Sequence, residues 1–500
     1  VLSAATPLSE PDMAPAPIST RAPAQRYVLE VKPVAQAKPN CVTVKGKRFA
    51  IAPDDRGVAS ELARILEERG ASTTMLTDEE SLGAVDGMVY LRTLASESPD
   101  ALKGLFSRAK AAVAGNAKWI VAATGLGGDF GRATSVSPES MLTGGANGMM
   151  KSLLKEQPNV RVHAIDLERD VAPVKLAEQI FAELLADDKR VEVGYKNGDR
   201  LALELVSDAE PRSTRTITLD EKSVVLVTGG ARGITAKIAI ALAEKFKCSL
   251  ELVGRSPAPE KGEDPAIANA LEITALREAL IARANGAGPT TPAAIDAAAR
   301  EILGAREIRA TLAAIRKAGG HARYHAIDVR DAAKLGDLID SIYRDRGRID
   351  GVVHGAGLIE DKLIAQKTTE SFDRVFDTKV RSALTLAKKL RPDTRFIAFF
   401  SSVSGAFGNR GQTDYAAANA ALDSLAHHLR ATRNTRVLSV NWGPWAGAGM
   451  VRPELEAEYA RRGVALIAPD DGAARFLDEL CGGDDTQVIL TAASPEVLAS

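Results

Sequence analysis

Short β-branched stretches alternate with stretches of helical period along nearly the whole chain. That alternation constrains the fold more than any other feature, because strand–helix–strand repeats close as a parallel sheet with helices over its faces. Tyr27–Val34 reads as an entering strand and Arg48–Ala52 as a strand running into a turn at Pro53-Asp54-Asp55. Val58–Arg69 then reads as a helix closed by Gly70. Gly87–Leu91, Ala101–Ala114, Trp119–Ala123, Ala146–Glu156 and Arg161–Asp166 continue strand by helix. A second series opens with strand Val224–Thr228, helix Ile234–Lys245 and strand Leu250–Gly254. The expected class is α/β, with two Rossmann-like parallel-sheet subdomains.

At 500 residues the chain exceeds the ~150-residue domain scale, so more than one core is expected. The reading divides it into an Ala/Pro-rich linker over 1–25, a structural subdomain over 26–215 and a second subdomain over 216–500. A helical insertion is expected over 257–318, broken at Gly286–Pro292, and Thr216–Leu219 is a candidate edge strand at the seam. The start at Val1, without an initiator Met, suggests a piece of something longer. Charge is balanced, 64 basic against 65 acidic residues, without the basic excess that phosphate-backbone binding needs, so no nucleic acid is expected. No apolar run approaches the ~20 residues that span a bilayer, and no membrane partner is expected. Cys41, Cys248 and Cys481 are dispersed, which argues against a disulfide framework or a thiolate metal site and fits a reducing, cytoplasmic setting.

The first half carries a glycine-rich stretch, Thr124–Gly131, but it does not lie between a first strand and its helix, and it reads as a mobile loop. In the second half Thr228, Gly229, Gly230, Arg232, Gly233 and Ile234 follow a strand and open a helix. This arrangement aims backbone N–H groups and the helix dipole at a dinucleotide pyrophosphate. Thr235 stands where a third glycine is usual, which puts close packing there in question. The next strand ends at Arg255 and Ser256 rather than at an acid, a pair suited to a 2′-phosphate, so NADPH is the expected cofactor. Asp328 and Val329 follow the third strand, with Asp328 a candidate for the adenine edge. Gly355, Ala356 and Gly357 form a turn at the sheet's C-terminal edge, beside a His354 read as structural.

Phe396–Ser402 is a strand ending in Ser401-Ser402, and Asp414-Tyr415 opens a helix on which Tyr415 and Asn419 share a face. Reducing a ketone requires a proton for oxygen as well as a hydride for carbon. A phenol of ordinary pKa near ~10 needs a neighbouring cation to supply that proton, and Lys379 is the candidate.

These residues carry a resemblance. From about Lys222 to Ala493 the chain resembles a short-chain dehydrogenase/reductase, specifically the ketoreductase domain of a type I polyketide synthase or a polyunsaturated fatty acid synthase. Tyr415 is followed four residues on by Asn419 instead of Lys, with Lys379 upstream, as in those domains. Phe399–Gly405, Gly408–Asn419, Asn441-Trp442-Gly443-Pro444-Trp445 and Gly449-Met450 agree with it. The resemblance implies Tyr415 as proton donor, Ser402 on the ketone oxygen, and Lys379 with Asn419 in a relay. It further implies a β-ketoacyl substrate on the phosphopantetheine arm of an acyl carrier protein, with other synthase domains as partners. The loop form Thr228–Thr235 and the helical insertion are more similar to the polyunsaturated fatty acid synthase type. Ile359-Glu360-Asp361 and Phe407 lie nearer the pattern that accompanies D-configured products. The alternatives are a reductase of free ketones and an inactive scaffold that docks other domains.

Overall fold

The computed structural model describes residues 21–38, 42–77, 82–94, 96–133, 136–188, 190–208, 216–257, 264–283, 291–447 and 453–499. Most of the expected linker, Cys41, the seam residues 209–215 and Gly449-Met450 lie outside the described residues.

Both expected parallel-sheet halves are present, and their edges join in one continuous sheet. From one edge the strands run His321–Ala326, Ser249–Gly254, Val224–Thr228, Gly351–His354, Phe396–Ser402, Arg436–Trp442 and Gln487–Thr491, all parallel. Counting from Val224, the first six follow the doubly wound order 3-2-1-4-5-6, which opens a crevice between Val224–Thr228 and Gly351–His354, where the order reverses. The sheet then continues through Gln25–Pro33, Asp199–Ser207 and Glu192–Lys196, joined by antiparallel pairs. Arg161–Leu167, Trp119–Thr124, Gly87–Tyr90, Arg48–Ala52 and Ser72–Met75 complete it in parallel. Thus Gln25–Pro33 pairs with both halves. Its buried Arg26 is held from both sides, by Asp208 at 2.9 Å, Glu479 at 2.5 Å and Asp485 at 2.6 Å.

Helices join the halves as well. Gly145–Glu156 lies against Thr413–Thr432 with almost no side chain between them. A Cβ at Gly148 would come within 2.2 Å of the Ala416 carbonyl, and one at Gly145 within 2.6 Å of that of Ala417. One apolar core therefore runs through both halves, with the Phe106 and Phe372 rings stacked at 4.5 Å.

Thr216–Leu219 forms no strand. Ile217 packs on the core, and the Thr218 carbonyl is met by the Arg395 side chain rather than by a backbone ladder. The helical stretch after the second strand divides by role. Helices Pro265–Ala268 and Ile273–Arg283 and the first turns of Pro292–Lys317 build a small core of their own from Ile267, Leu276, Leu280, Ile295 and Ala299. Further along the same helix, Ile308 and Ile315 enter the main core, so its second half is the crossover that delivers the chain to strand His321–Ala326. Residues 286–290 of the expected break lie outside the described residues.

Thr124–Gly131 is also unlike the expectation, being largely buried. The Asp166 carboxylate accepts from Leu126 N at 2.7 Å, Phe130 N at 2.8 Å and Thr124 Oγ1 at 2.9 Å. Gly128, at φ +77°, lies so close to the Tyr195 carbonyl that a Cβ would stand 1.9 Å from it. The loop is a packed plug.

Candidate active site

At the C-terminal end of strand Phe396–Ser402 the chain turns into a short helix that Ser402 caps, its Oγ accepting from Ser404 N at 3.2 Å. The following helix, Thr413–Thr432, presents Tyr415 and Asn419 one turn apart. Lys379 comes from helix Thr369–Lys389. It is buried, donates from Nζ to the Phe400 carbonyl at 2.6 Å and lies 5.6 Å from the centre of the Tyr415 ring. Side-chain contacts join Tyr415 to Asn419 and Ser402. Lys379, Ser402 and the Tyr415–Asn419 pair, from three segments remote in sequence, thus come together.

The electrostatics differ from the expectation in one respect. Burial pushes the Tyr415 phenol up to about 12, and the opposing pull comes first from Asn419 and Ser402, not from Lys379. The Lys379 ammonium lies over the ring face and donates to a carbonyl. Burial lowers its own pKa to about 8, and the nearby Asp423 carboxylate resists that fall. Asn419 donates from Nδ2 to the Tyr415 carbonyl at 2.7 Å, which leaves its buried Oδ1 without a protein partner. A buried acceptor of this kind needs a donor such as water.

The partners of several residues that fix this geometry were not legible in the sequence. Asn441 donates to the Ser402 carbonyl at 3.0 Å, Ser401 Oγ at 3.0 Å and Asp423 Oδ2 at 2.8 Å, locking the end of the serine strand. Buried Lys367 and Asp414 pair at 2.7 Å, and Asp414 also receives Tyr415 N at 2.8 Å. His354 is a buried bracket. Its Nδ1 meets Thr228 Oγ1 at 2.7 Å and its Nε2 the Lys379 carbonyl at 3.0 Å. A carbonyl only accepts, so Nε2 carries the proton, and burial holds the ring neutral with its pKa lowered to about 3. No spacing rule links 354 to 228 and 379. Only the parallel pairing of the strands Val224–Thr228 and Gly351–His354 does.

The glycine loop stands across the crevice. Gly229 has φ +72°, and a Cβ there would stand 3.0 Å from Ala356 N and the Gly355 carbonyl. Thr235, in place of the third glycine, is buried against Gly355, whose own Cβ would come within 2.4 Å of the Thr235 hydroxyl. The missing glycine is therefore balanced by one on the facing turn. Gly230 packs over Val227 and Leu252, while Gly233 and Ile234 open the helix. Arg232 is paired with Glu307 at 2.8 Å. Arg255 is exposed at the end of its strand, next to Ser256, whose carbonyl accepts from Tyr324 Oη at 2.8 Å. Asp328 is not a free carboxylate. Arg330 donates to both its oxygens, at 2.6 to 3.1 Å, and holds it below the usual carboxylate range. Val329 is buried in the core, and Ala356 is buried beside Thr228, with Gly357 following it in the turn.

Glu360 is engaged by Arg374 and Ser371, and its neighbour Asp361 accepts from Gln412 Nε2 at 3.1 Å. Phe407 packs with Tyr27 and Ile489. Among the described residues no group of three metal-ligating side chains occurs, and no helix is long and apolar enough to cross a membrane.

The chain is similar to known proteins over much of its length. Residues 223–447 match the family model described as KR domain. A polyunsaturated fatty acid synthase chain of Thraustochytrium sp. is 29% identical over 476 residues, covering 90% of this chain and 17% of that protein. Polyketide synthase PksN of Bacillus subtilis is 26% identical over 342 residues, 67% of this chain and 5% of that protein. The chain thus spans under a fifth of the length of these relatives. Among solved structures, A-type ketoreductases from a modular polyketide synthase align over 95% of this chain and 94% of that one, with a TM-score of 0.71 and 25% identity. An N-terminal ketoreductase from the macrolactin assembly line aligns over 97% of this chain and 94% of that one, with a TM-score of 0.71 and 20% identity. Residues 223–447 thus match the KR domain model, and over most of its length the chain is similar to ketoreductases of polyketide synthases and to a polyunsaturated fatty acid synthase chain.

Proposed function

We propose that this chain reduces a β-ketoacyl group, tethered through phosphopantetheine to an acyl carrier protein, to the β-hydroxyacyl product with NADPH. The reading rests on the convergence of Lys379, Ser402, Tyr415 and Asn419 at the mouth of the crevice.

The cofactor, when bound, supplies hydride to the carbonyl carbon. Tyr415 gives its phenolic proton to the ketone oxygen, and Ser402 donates a second hydrogen bond to that atom, so negative charge developing there meets donors already in place. Lys379 and a water held on Asn419 Oδ1 return a proton to Tyr415. Thr228, Gly229, Gly230, Arg232, Gly233 and Ile234 would hold the pyrophosphate, and Arg255 with Ser256 the 2′-phosphate. Val329, Gly355, Ala356 and Gly357 would line the remainder. The close approach of Gly229 to Gly355 and Ala356, which a side chain would fill, supports this placement. Asp328 takes part in the adenosine end only together with its bound Arg330.

In the same reading, the region 26–215 is a structural subdomain that braces the reductase over 216–500, the work is cytoplasmic, other synthase domains adjoin it and the product is D-configured. The deciding assay follows NADPH absorbance with a β-ketoacyl N-acetylcysteamine thioester. Wild type should turn over and Tyr415→Phe should lose roughly 10²–10³ in rate. A wild-type chain that binds NADPH without turnover would instead be a scaffold.

A further inference from the structure

Helix Pro292–Lys317 runs along the dinucleotide loop as well as into the core. Residues three and four apart share a helix face, and Gly304, Glu307 and Thr311 all meet the loop from one face. Thr311 Oγ1 donates to the Ala231 carbonyl at 3.0 Å. Gly304 leaves room for Arg232, whose guanidinium would lie 3.1 Å from a Cβ there. Glu307 makes two bonds of good length. Its Oε1 accepts from Gly233 N at 2.7 Å and its Oε2 from Arg232 Nε at 2.8 Å.

The second contact matters for the chemistry of the loop. Gly233 N is the first amide of the loop helix, at the positive end of its dipole, and Arg232 is the loop's own cation. These are the groups that a phosphate oxygen would use, and a carboxylate already uses both. Both side chains of the pair are about half exposed, at 51% and 43%, so the contact is screened and replaceable by a stronger anion.

We propose that Glu307 is an internal anion that holds the dinucleotide loop until a phosphate of the cofactor replaces it, so that this helix, through one carboxylate, sets the affinity for the dinucleotide. The proposal rests on the reading of Thr228–Ile234 as the NADPH loop. The contending phosphate is either the pyrophosphate, common to both nicotinamide dinucleotides, or the 2′-phosphate of NADPH.

The test is calorimetric titration of the full chain with NADPH and with NADH, for wild type, Glu307→Gln and Glu307→Ala. Removing the carboxylate should tighten NADPH about three- to tenfold, the scale of a half-exposed charge contact. An equal gain for NADH assigns the contact to the pyrophosphate, and a gain confined to NADPH assigns it to the 2′-phosphate. In an Arg232→Ala background the gain should shrink, because the contested cation is gone. Unchanged or weaker NADPH binding in both Glu307 variants overturns the proposal while leaving the cofactor reading intact. Failure of wild type to bind either dinucleotide overturns both.

Discussion

The two halves each place a glycine-rich loop beyond a strand of the same sheet, and each loop receives a carboxylate. In Thr124–Gly131 the acid is Asp166, fully enclosed on the adjacent strand and satisfied by two amides and a hydroxyl. In Thr228–Ile234 it is Glu307, half exposed on a separate helix and bonded to one amide and one arginine. The glycines differ in the same sense. A Cβ at Gly128 would overlap the Tyr195 carbonyl at 1.9 Å, whereas one at Gly229 would crowd Gly355 and Ala356 less severely, at 3.0 Å. The first loop's carboxylate is enclosed within the fold, whereas on the reading proposed above the second loop's carboxylate gives way to a ligand.

The sharpest way to break this comparison is to empty the first loop. Asp166→Ala strands Leu126 N, Phe130 N and Thr124 Oγ1 in the core and should cost about 3 kcal/mol in urea unfolding, at ~1 kcal/mol or more for each stranded donor. The folded protein should bind NADPH as before. If Asp166→Ala instead alters NADPH affinity, the first loop is not inert and the contrast fails.

Next in size is Gly229→Ala. At φ +72°, with backbone atoms 3.0 Å from the new Cβ, it should lower stability by only about 1–2 kcal/mol but weaken NADPH at least ~10-fold. A stability loss matching that of Asp166→Ala, with affinity unchanged, would make the second loop as structural as the first.

The smallest effect is in pH. Lys379 is displaced downward to about 8, so its ammonium is lost as pH rises through that value, and kcat/KM should decline above about pH 8. The sign for stability is the reverse. Between about 8 and 10.5 the unfolded lysine keeps a proton that the folded one has released, so this group adds stability as pH rises across that window. A kcat/KM that stays level to pH 10 would remove Lys379 from the relay. The same profile should hold in Asp166→Ala, because the plugged loop does not touch the reacting groups.

Much of this was legible in the sequence because it is local. Strand Arg48–Ala52 and the serine strand Phe396–Ser402 fall where short apolar runs put them, and Tyr415 with Asn419 follows from helical spacing. What escaped depends on contacts between distant segments. The merging of two sheets turns on Gln25–Pro33 accepting partners near residues 205 and 489, which no local pattern encodes. Thr216–Leu219 has strand-like residues but no neighbouring ladder. Thr124–Gly131 has a mobile loop's composition, yet a single carboxylate 36 to 42 residues away holds it. The Lys367–Asp414 pair and the Asn441 network escaped likewise, since lone polar residues in apolar surroundings carry no sign of their partners.

The shared strand Gln25–Pro33 has a consequence for biosynthesis. It can pair with Asp199–Ser207 once that distant strand is made, but its opposite flank stays bare until Gln487–Thr491 arrives. While the residues between those two partners are being made, the nascent protein therefore carries an open β-edge, along with an Arg26 still lacking Glu479 and Asp485, and that interval exposes it to wrong pairing with its copies.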